Sequence, residues 1–421
     1  SLGSLIAWRG LGGGPYGGLR DGARAAGDRP SLRLRKGLVV TQLAVSVVLL
    51  TASGLLVKSL LNLERVDAGF EESNVLKARL DLDWSRYDTG EERARFYRSL
   101  LEEVAALPGV EGVTLSSRVP LDEGLYSGSL ILEGEAPPPD EVRPQIGISI
   151  VGPRFFETLR VPMIDGRSLA LNDDAKGTPV AVVSRSLAHR FWQGRSPVGR
   201  RISLDGGESW LDVVGVAGDV KQERLDADSE DELYLPVLQR PNLSSRILVR
   251  TAGPPLGLAD AVRRVVQSID PEQPVTDFAS LASVRHASVA APRQTVTLVG
   301  VFALLALVIS ATGMAGLLAF SVSQRVREIG VRIALGASRG SVLRMVLSQG
   351  LALVSGGTLL GIAGGALVSR ALRGLLFQVA PNDPATLGTV AAMLLATAAL
   401  ACWAPAWRAT HIEPMTALRN D

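Results

Sequence analysis

GLVVTQLAVSVVLLTASGLLV, residues 37–57, carries no charge between Lys36 and Lys58. An α-helix rises about 1.5 Å per residue, so crossing a bilayer core of about 30 Å takes roughly 20 apolar residues. This stretch meets that length, and so do three further uncharged windows, Gln294–Gln324, Met345–Ser369 and Pro384–Trp407. Helices buried in a large soluble core rarely stay uncharged for so long. Four transmembrane helices are therefore predicted, at 37–60 and at about 295–322, 343–368 and 385–407.

Outside these windows the composition changes. Of the 421 residues 47% are apolar, yet 67–290 is rich in Asp, Glu, Arg and Pro, as a folded domain between the first two spans would be. A formal net charge of +2 is too close to neutral to suggest a nucleic-acid partner. The first span does not read as a signal peptide, because 36 residues precede it and no small-residue cleavage site follows Leu55-Leu56-Val57-Lys58. LRDGARAAGDRPSLRLRK, ending at Lys36, reads as a cytoplasmic linker or tail over 1–36, and the chain as one portion of a longer protein.

Charge asymmetry predicts the orientation. Arg29, Arg33, Arg35 and Lys36 precede the first span, Arg325, Arg327, Arg332, Arg339 and Arg344 lie between the second and third, and Arg408 follows the fourth. The loop between the third and fourth spans has only Arg370 and Arg373 against Asp383. The positive-inside rule then puts both termini and the segment 325–341 in the cytoplasm, and the 67–290 domain outside it.

Within that domain VLKARLDL alternates as a strand does. EERARFYRSLLEEVAAL lines up Phe96, Leu100, Val104 and Leu107 as a helical stripe, and VEGVTLSS returns as a strand. SRILVRTA, LADAVRRVVQSI and PVTDF repeat the β-α-β order near the domain's end. Two such units separated by an inserted lobe at about 125–240 make a membrane α-helical protein with an extracytoplasmic α+β domain of two lobes. In the insert RPQIGISIV, PVAVVS, WLDVVGVAGDV and ELYLPV read as strands, RFFETL and RSLAHRFW as helices, and APPPD at 136–140 as a turn.

No catalytic constellation emerges. GGGPYG at 12–17 has no strand before it or amphipathic helix after it, and GRSPVGRR at 194–201 has Arg200 where a P-loop needs Lys. There is no GxSxG, and Asp173 and Asp174 read as a solvated turn. His189, His286 and His411 are scattered, and Cys402, the single cysteine, lies in the fourth span. No disulfide within the chain, no metal and no cofactor is expected.

VREIGVRIALGAS, residues 326–338, reads as a short amphipathic helix. Val326, Ile329 and Ile333 form one side, and Arg325, Arg327, Glu328 and Arg332 the other. Gly336 is a plausible stop, and Ser338 or Ser341 the cap of the next helix. Periodicity alone leaves two readings, a helix resting on anionic lipid or one docking on a protein. On the third span Gly357, Gly361 and Gly365 form a small-xxx-small row that permits close helix contact.

The wider stretch QRVREIGVRIALGASRGSVLRMVL resembles the FtsX-like permease domain of the MacB family of ABC transporters, as does the ending PAWRATHIEPMTALR. RLRKGLVVTQLAVSVVLLTASGLLVKSLLNL is similar to that family's first span, and GDVKQERLDADSEDELYLP to its periplasmic core domain. LDLDWSRYD and RFYRSLLEEVAALPGVEGV are similar to the ATPase-lacking permeases often duplicated in one acidobacterial-type chain. The resemblance implies a core domain at 67–290 and an FtsX-like domain at 294–421. It also implies a coupling helix whose contacts would come from Arg327, Glu328, Ile329, Gly330, Arg332, Leu335 and Gly336.

The implied function is that of a non-catalytic permease of the bacterial inner membrane. It would pass the motion of a cytoplasmic ABC ATPase, supplied in trans, to the outer domain, and so export or extract a hydrophobic or amphipathic substrate. A second permease half or a second copy, a membrane-fusion protein and membrane lipids are the implied partners. The rival is an FtsX-type regulatory module that controls an envelope hydrolase or a sensor kinase without transport.

Overall fold

The computed structural model describes residues 24–122, 127–134, 145–227, 231–324, 338–380 and 383–410. The glycine-rich run at 12–17, the APPPD turn and His411 lie outside them. Two compact units result, one of 1–58 with 296–421 and one of 59–295.

The helical unit is built on α1 (Arg24–Glu64), α7 (Ala290–Ser323), α8 (Arg339–Ala371) and α9 (Pro384–Thr410). Each holds a stretch long and apolar enough to cross a membrane: Leu34–Glu64, Ala290–Ser323, Gly350–Gly374 and Pro384–Ala401. Helix α1 begins at Arg24 and so includes 24–36; SLRLRK before Gly37 is made largely of good helix formers, which continue the span toward the N-terminus, whereas Gly27 and Pro30 do not explain the first turns. Between the alternatives at the start of α8, Ser338 is the cap: its hydroxyl accepts from the Ser341 N–H at 3.3 Å.

Helix α1 has 39% of its apolar window buried, against 22%, 22% and 17% for the others, and is thus the most covered of the four. Val39 and Leu43 join Met314, Leu317, Leu318, Val354 and Ala398 in one cluster, and Val47 joins Leu307, Val390 and Leu394 in a second. Large apolar side chains remain uncovered on the other helices, among them Phe302, Leu305, Leu359, Leu367 and Leu400, as a lipid-facing surface requires.

In the second unit the first β-α-β is β1 (Val75–Asp81), α2 (Gly90–Ala105) and β2 (Val110–Ser116). Alternation sends Leu76, Ala78 and Leu80 of β1 into a core with Phe96, Leu100 and Val104 of α2. Thr89 and Glu92 close a capping box at the start of α2. The helix stops before Leu107, since the following Pro108 disfavours helical backbone at the residue before it.

The insert supplies β3 (Ser127–Ser129), β4 (Ile131–Leu132), β5 (Gln145–Val151), α3 (Phe155–Leu159), β6 (Met163–Gly166) and β7 (Val180–Ser184). It continues with α4 (Arg185–Trp192), β8 (Arg201–Ser203), β9 (Leu211–Ala217) and β10 (Glu232–Pro236). The closing unit is β11 (Ser244–Thr251), α5 (Ala259–Ile269) and β12 (Val275–Ser280), and α6 (Leu281–Ser288) follows it.

The two β-α-β repeats interleave. Strand β11 lies antiparallel between β1 and β2, and β12 pairs antiparallel with the free edge of β1. The resulting order β12-β1-β11-β2 is that of a split β-α-β, ferredoxin-like sheet. The inserted lobe has its own core around Ile146, Val183, Leu187, Val213 and Leu233, but its strands extend the same sheet. One register pair, Ser116 with Val151, joins β2 to β5. Close approach makes the join, because a Cβ on Gly152 would stand 2.7 Å from the Leu115 nitrogen. Just beyond it the buried Arg118 donates from Nε to Gln222 at 3.3 Å, and Glu232 accepts from the Ser149 hydroxyl at 2.5 Å.

Asp173 corrects the solvated-turn reading. It is 5% exposed, takes both Arg167 guanidinium nitrogens at 2.8 Å and accepts the Ala170 N–H at 2.8 Å. Burial alone would raise its carboxyl pKa, but these bonds outweigh burial and hold it below the usual value.

Candidate functional site

Two constructions stand out, one in each unit. The first is a seam between α8 and α1. Gly357, Gly361 and Gly365 recur every fourth residue on one face of α8, and all three are buried. A Cβ on Gly357 would stand 2.5 Å from the Leu43 Cβ and 3.3 Å from the Val40 oxygen. On Gly361 it would be 2.3 Å from the Val47 Cβ, while Gly365 leaves 3.7 Å to Thr51. Leu43, Val47 and Thr51 are spaced by four, so two i, i+4 rows run past each other with no side chain on one of them.

The same central helix meets α7 through polar atoms. Ser46 Oγ lies 2.8 Å from Ser310 Oγ and donates to the Ala306 oxygen at 3.0 Å. At its far end Lys58 pairs with Asp383 at 2.8 Å, and Asp383 also accepts from the Thr386 N–H and hydroxyl, capping the start of α9.

The second construction is a joint inside the sheet unit, where the chain leaves α1 and where it enters α7. Arg250 of β11 is 4% exposed, and its guanidinium donates to three backbone oxygens: Thr158 at 2.6 Å, Glu71 at 2.8 Å and Ser73 at 2.9 Å. It thereby nails the segment after α1 to the sheet. Gly69 in that segment has φ +80°, and a Cβ there would fall 1.8 Å from the Asp219 oxygen, so only glycine fits. Glu71 also pairs with Arg160 at 2.6 Å; Ser73 and then Arg160, hydrogen-bonded to its carboxylate, hold its pKa below the usual value.

On the entering side Arg285 of α6 donates to the Val66 oxygen at 2.8 Å and the Glu64 oxygen at 3.1 Å, and pairs with Glu72 at 3.1 Å. Those oxygens belong to the end of α1, where carbonyls lack helical partners. Arg293, at the start of α7, pairs with Glu64 at 2.8 Å. That last pair is solvent-exposed and contributes about 0–1 kcal/mol. Stiffness at the joint therefore rests on Arg250 and Arg285.

Arg327, Glu328, Ile329, Gly330, Arg332, Leu335 and Gly336 lie outside the described residues. Among the described residues no group of three or more His, Cys, Asp or Glu could hold a metal ion, and His189 and His286 are exposed.

The sequence model of the MacB-like periplasmic core domain matches residues 37–272, more than half of the chain, and that of the FtsX-like permease C-terminal region matches 300–414. The chain belongs to the MacB/FtsX-type ABC permease family.

One curated relative is the macrolide export ATP-binding/permease protein MacB of Hahella chejuensis. It is 27% identical over 356 residues, covering 79% of this chain and 50% of that protein. Another is the pyoverdine export ATP-binding/permease protein PvdT of Pseudomonas putida, 24% identical over 276 residues, covering 63% and 42%. The chain spans about half the length of the curated relatives it matches. A solved structure, the periplasmic region of MacB from Actinobacillus actinomycetemcomitans, aligns with 14% identity and a TM-score of 0.35, covering 52% of this chain and 94% of that one.

Sequence reasoning on this permease did not find the joint. Arg250 stands in SRILVRT, where an arginine at an alternate strand position reads as solvent-facing. Only the covering of that sheet face by α3 and the 71–73 segment buries it. Gly69 carried a weak signal, since a glycine beside Asp67 and Ala68 just past a long helix marks a turn.

Proposed function

We propose that this chain is the non-catalytic permease subunit of a MacB/FtsX-type ABC transporter. In this reading a cytoplasmic ATPase in trans docks on 325–341, where Arg327, Glu328, Ile329, Gly330, Arg332, Leu335 and Gly336 supply the contact. Its motion enters α8 directly behind the Ser338 cap, crosses the glycine seam to α1 and reaches the sheet through the joint. The 59–295 unit stands outside the cytoplasmic membrane and acts on a hydrophobic or amphipathic substrate. A second permease half or a second copy completes the assembly, with a membrane-fusion protein as a further partner. The carrying observation is Arg250: a buried guanidinium bonded to three carbonyls ties the exit of a membrane-length helix to the middle of a sheet.

Orientation is tested by single-cysteine labelling in a Cys402→Ala background. A cysteine at Ala227 is expected to react with an impermeant maleimide in intact cells, and one at Ser338 only after permeabilisation. Labelling of both in intact cells would rule out the arrangement.

Docking is tested by charge and by shape. Glu328→Lys keeps a lipid-bound helix basic, but reverses a carboxylate in a partly desolvated protein contact at a cost of several kcal/mol. Gly330→Trp blocks a groove and scarcely disturbs a lipid surface. Both variants are expected to abolish copurification of the ATPase while membrane insertion persists. Retained copurification in both would reduce the segment to a lipid anchor.

A further inference from the structure

A cleft of about 360 Å³ opens in the inserted lobe between the end of α4 and the strands β4 and β8. Its apolar wall is Phe191 and Trp192, both half-buried, with ring centroids 6.2 Å apart in an edge-to-face arrangement. The backbone makes this wall by breaking the helix. Gln193 at φ 47° and Gly194 at φ 88° both enter the left-handed region, and the Arg195 N–H turns back to the Trp192 oxygen at 2.9 Å. GRSPVGRR, which failed as a phosphate loop in the sequence, supplies Arg195, Arg200 and Arg201, and Leu132, Glu133 and Gln193 complete the lining.

The charge at the cleft is uneven. Arg201 is committed to Glu133, with Nε donating to one carboxylate oxygen at 2.8 Å. Arg195 and Arg200 are exposed and make no side-chain hydrogen bond or ion pair among the described residues. Three guanidiniums against one carboxylate leave a formal excess of two positive charges beside two aromatic rings. A guanidinium fork matches the planar oxygens of a carboxylate or phosphate, and the rings accept a flat apolar body.

We propose that this cleft binds an amphipathic oxyanion, a carboxylate or phosphate attached to a ring-sized apolar body, held by Arg195 and Arg200 with Phe191 and Trp192 stacked on the body. The site is independent of any transport reading, because binding is measured directly.

The test is calorimetric titration of the full chain in phosphatidylcholine nanodiscs with 1-naphthyl phosphate. Saturable binding is expected, at least tenfold tighter than for 1-naphthol, which lacks the anion, or for inorganic phosphate, which lacks the body. The Arg195→Ala/Arg200→Ala double variant and Trp192→Ala are each expected to weaken it about tenfold or more, at an unchanged melting temperature. Trp192→Phe, which keeps a ring and guards against a folding artefact, stays within about threefold. Absence of saturable binding, equal affinity for either fragment, or indifference to the double variant would overturn the proposal. So would a tenfold loss on changing the nanodisc to phosphatidylglycerol, which would make membrane lipid the occupant.

Discussion

Arg250→Ala is expected to destabilise the sheet unit by about 3 kcal/mol or more. The substitution leaves the carbonyls of Thr158, Glu71 and Ser73 without their donor in a place where Arg250 is 4% exposed. Each buried polar group stripped of its partner costs about 1–3 kcal/mol, and part of that is recovered where water enters the space. For a unit of this size 1 kcal/mol moves the melting temperature by about 2–4 °C, so a fall of roughly 6–12 °C is expected. Scanning the purified full chain in detergent against the parent measures it. Arg250→Lys should recover less than half of the loss, because one ammonium cannot reproduce a planar fork reaching three oxygens. A melting temperature within 1 °C of the parent for Arg250→Ala would show that the joint is held elsewhere.

Gly361→Leu should break the seam. The first atom of any side chain there would lie 2.3 Å from the Val47 Cβ, and Val47 is 1% exposed, so neither partner has room to turn away. Overpacking of this kind costs about 1–3 kcal/mol where the helices can shift, and the shift itself removes the contact through which α8 would move α1. Gly356 on the same helix is the control, since a Cβ there meets nothing within 4 Å. In detergent, Gly361→Leu is expected to lower the aggregation temperature of the helical unit and to abolish stimulation of the ATPase by the permease. Gly356→Leu should change neither. Equal loss in both variants, or in neither, would dismiss the seam as a coupling element.

Much of the architecture follows from local periodicity. Residues 37–57 could be read as a span without any neighbour, because a bilayer asks only for length and the absence of charge. Leu76, Ala78 and Leu80 declared a strand, and Phe96, Leu100 and Val104 a helix, because side-chain periods of 2 and 3.6 are properties of one element alone. The two β-α-β units were legible for the same reason.

Their interleaving was not. Whether β11 lies beside β2 or between β1 and β2 is decided by long-range ladder bonds that leave no mark on either strand's own pattern. The inserted lobe looked separate because its turn-rich ends break the pattern, yet Gly152 and the single pair Ser116 with Val151 carry one sheet through it.

The sequence by itself determined the four spans, the element order of the sheet unit and the small-residue row at Gly357, Gly361 and Gly365, since each depends on spacing within a single segment. Tertiary structure alone decided that Leu43 and Val47 are what the row faces, that Arg250 and Asp173 are buried rather than solvated, and that Gly69 must have no side chain. The physical reason is the same in every case. A charged or missing side chain takes its meaning from the atoms of a distant segment that come within about 4 Å of it, and those atoms are brought there only by the packed chain.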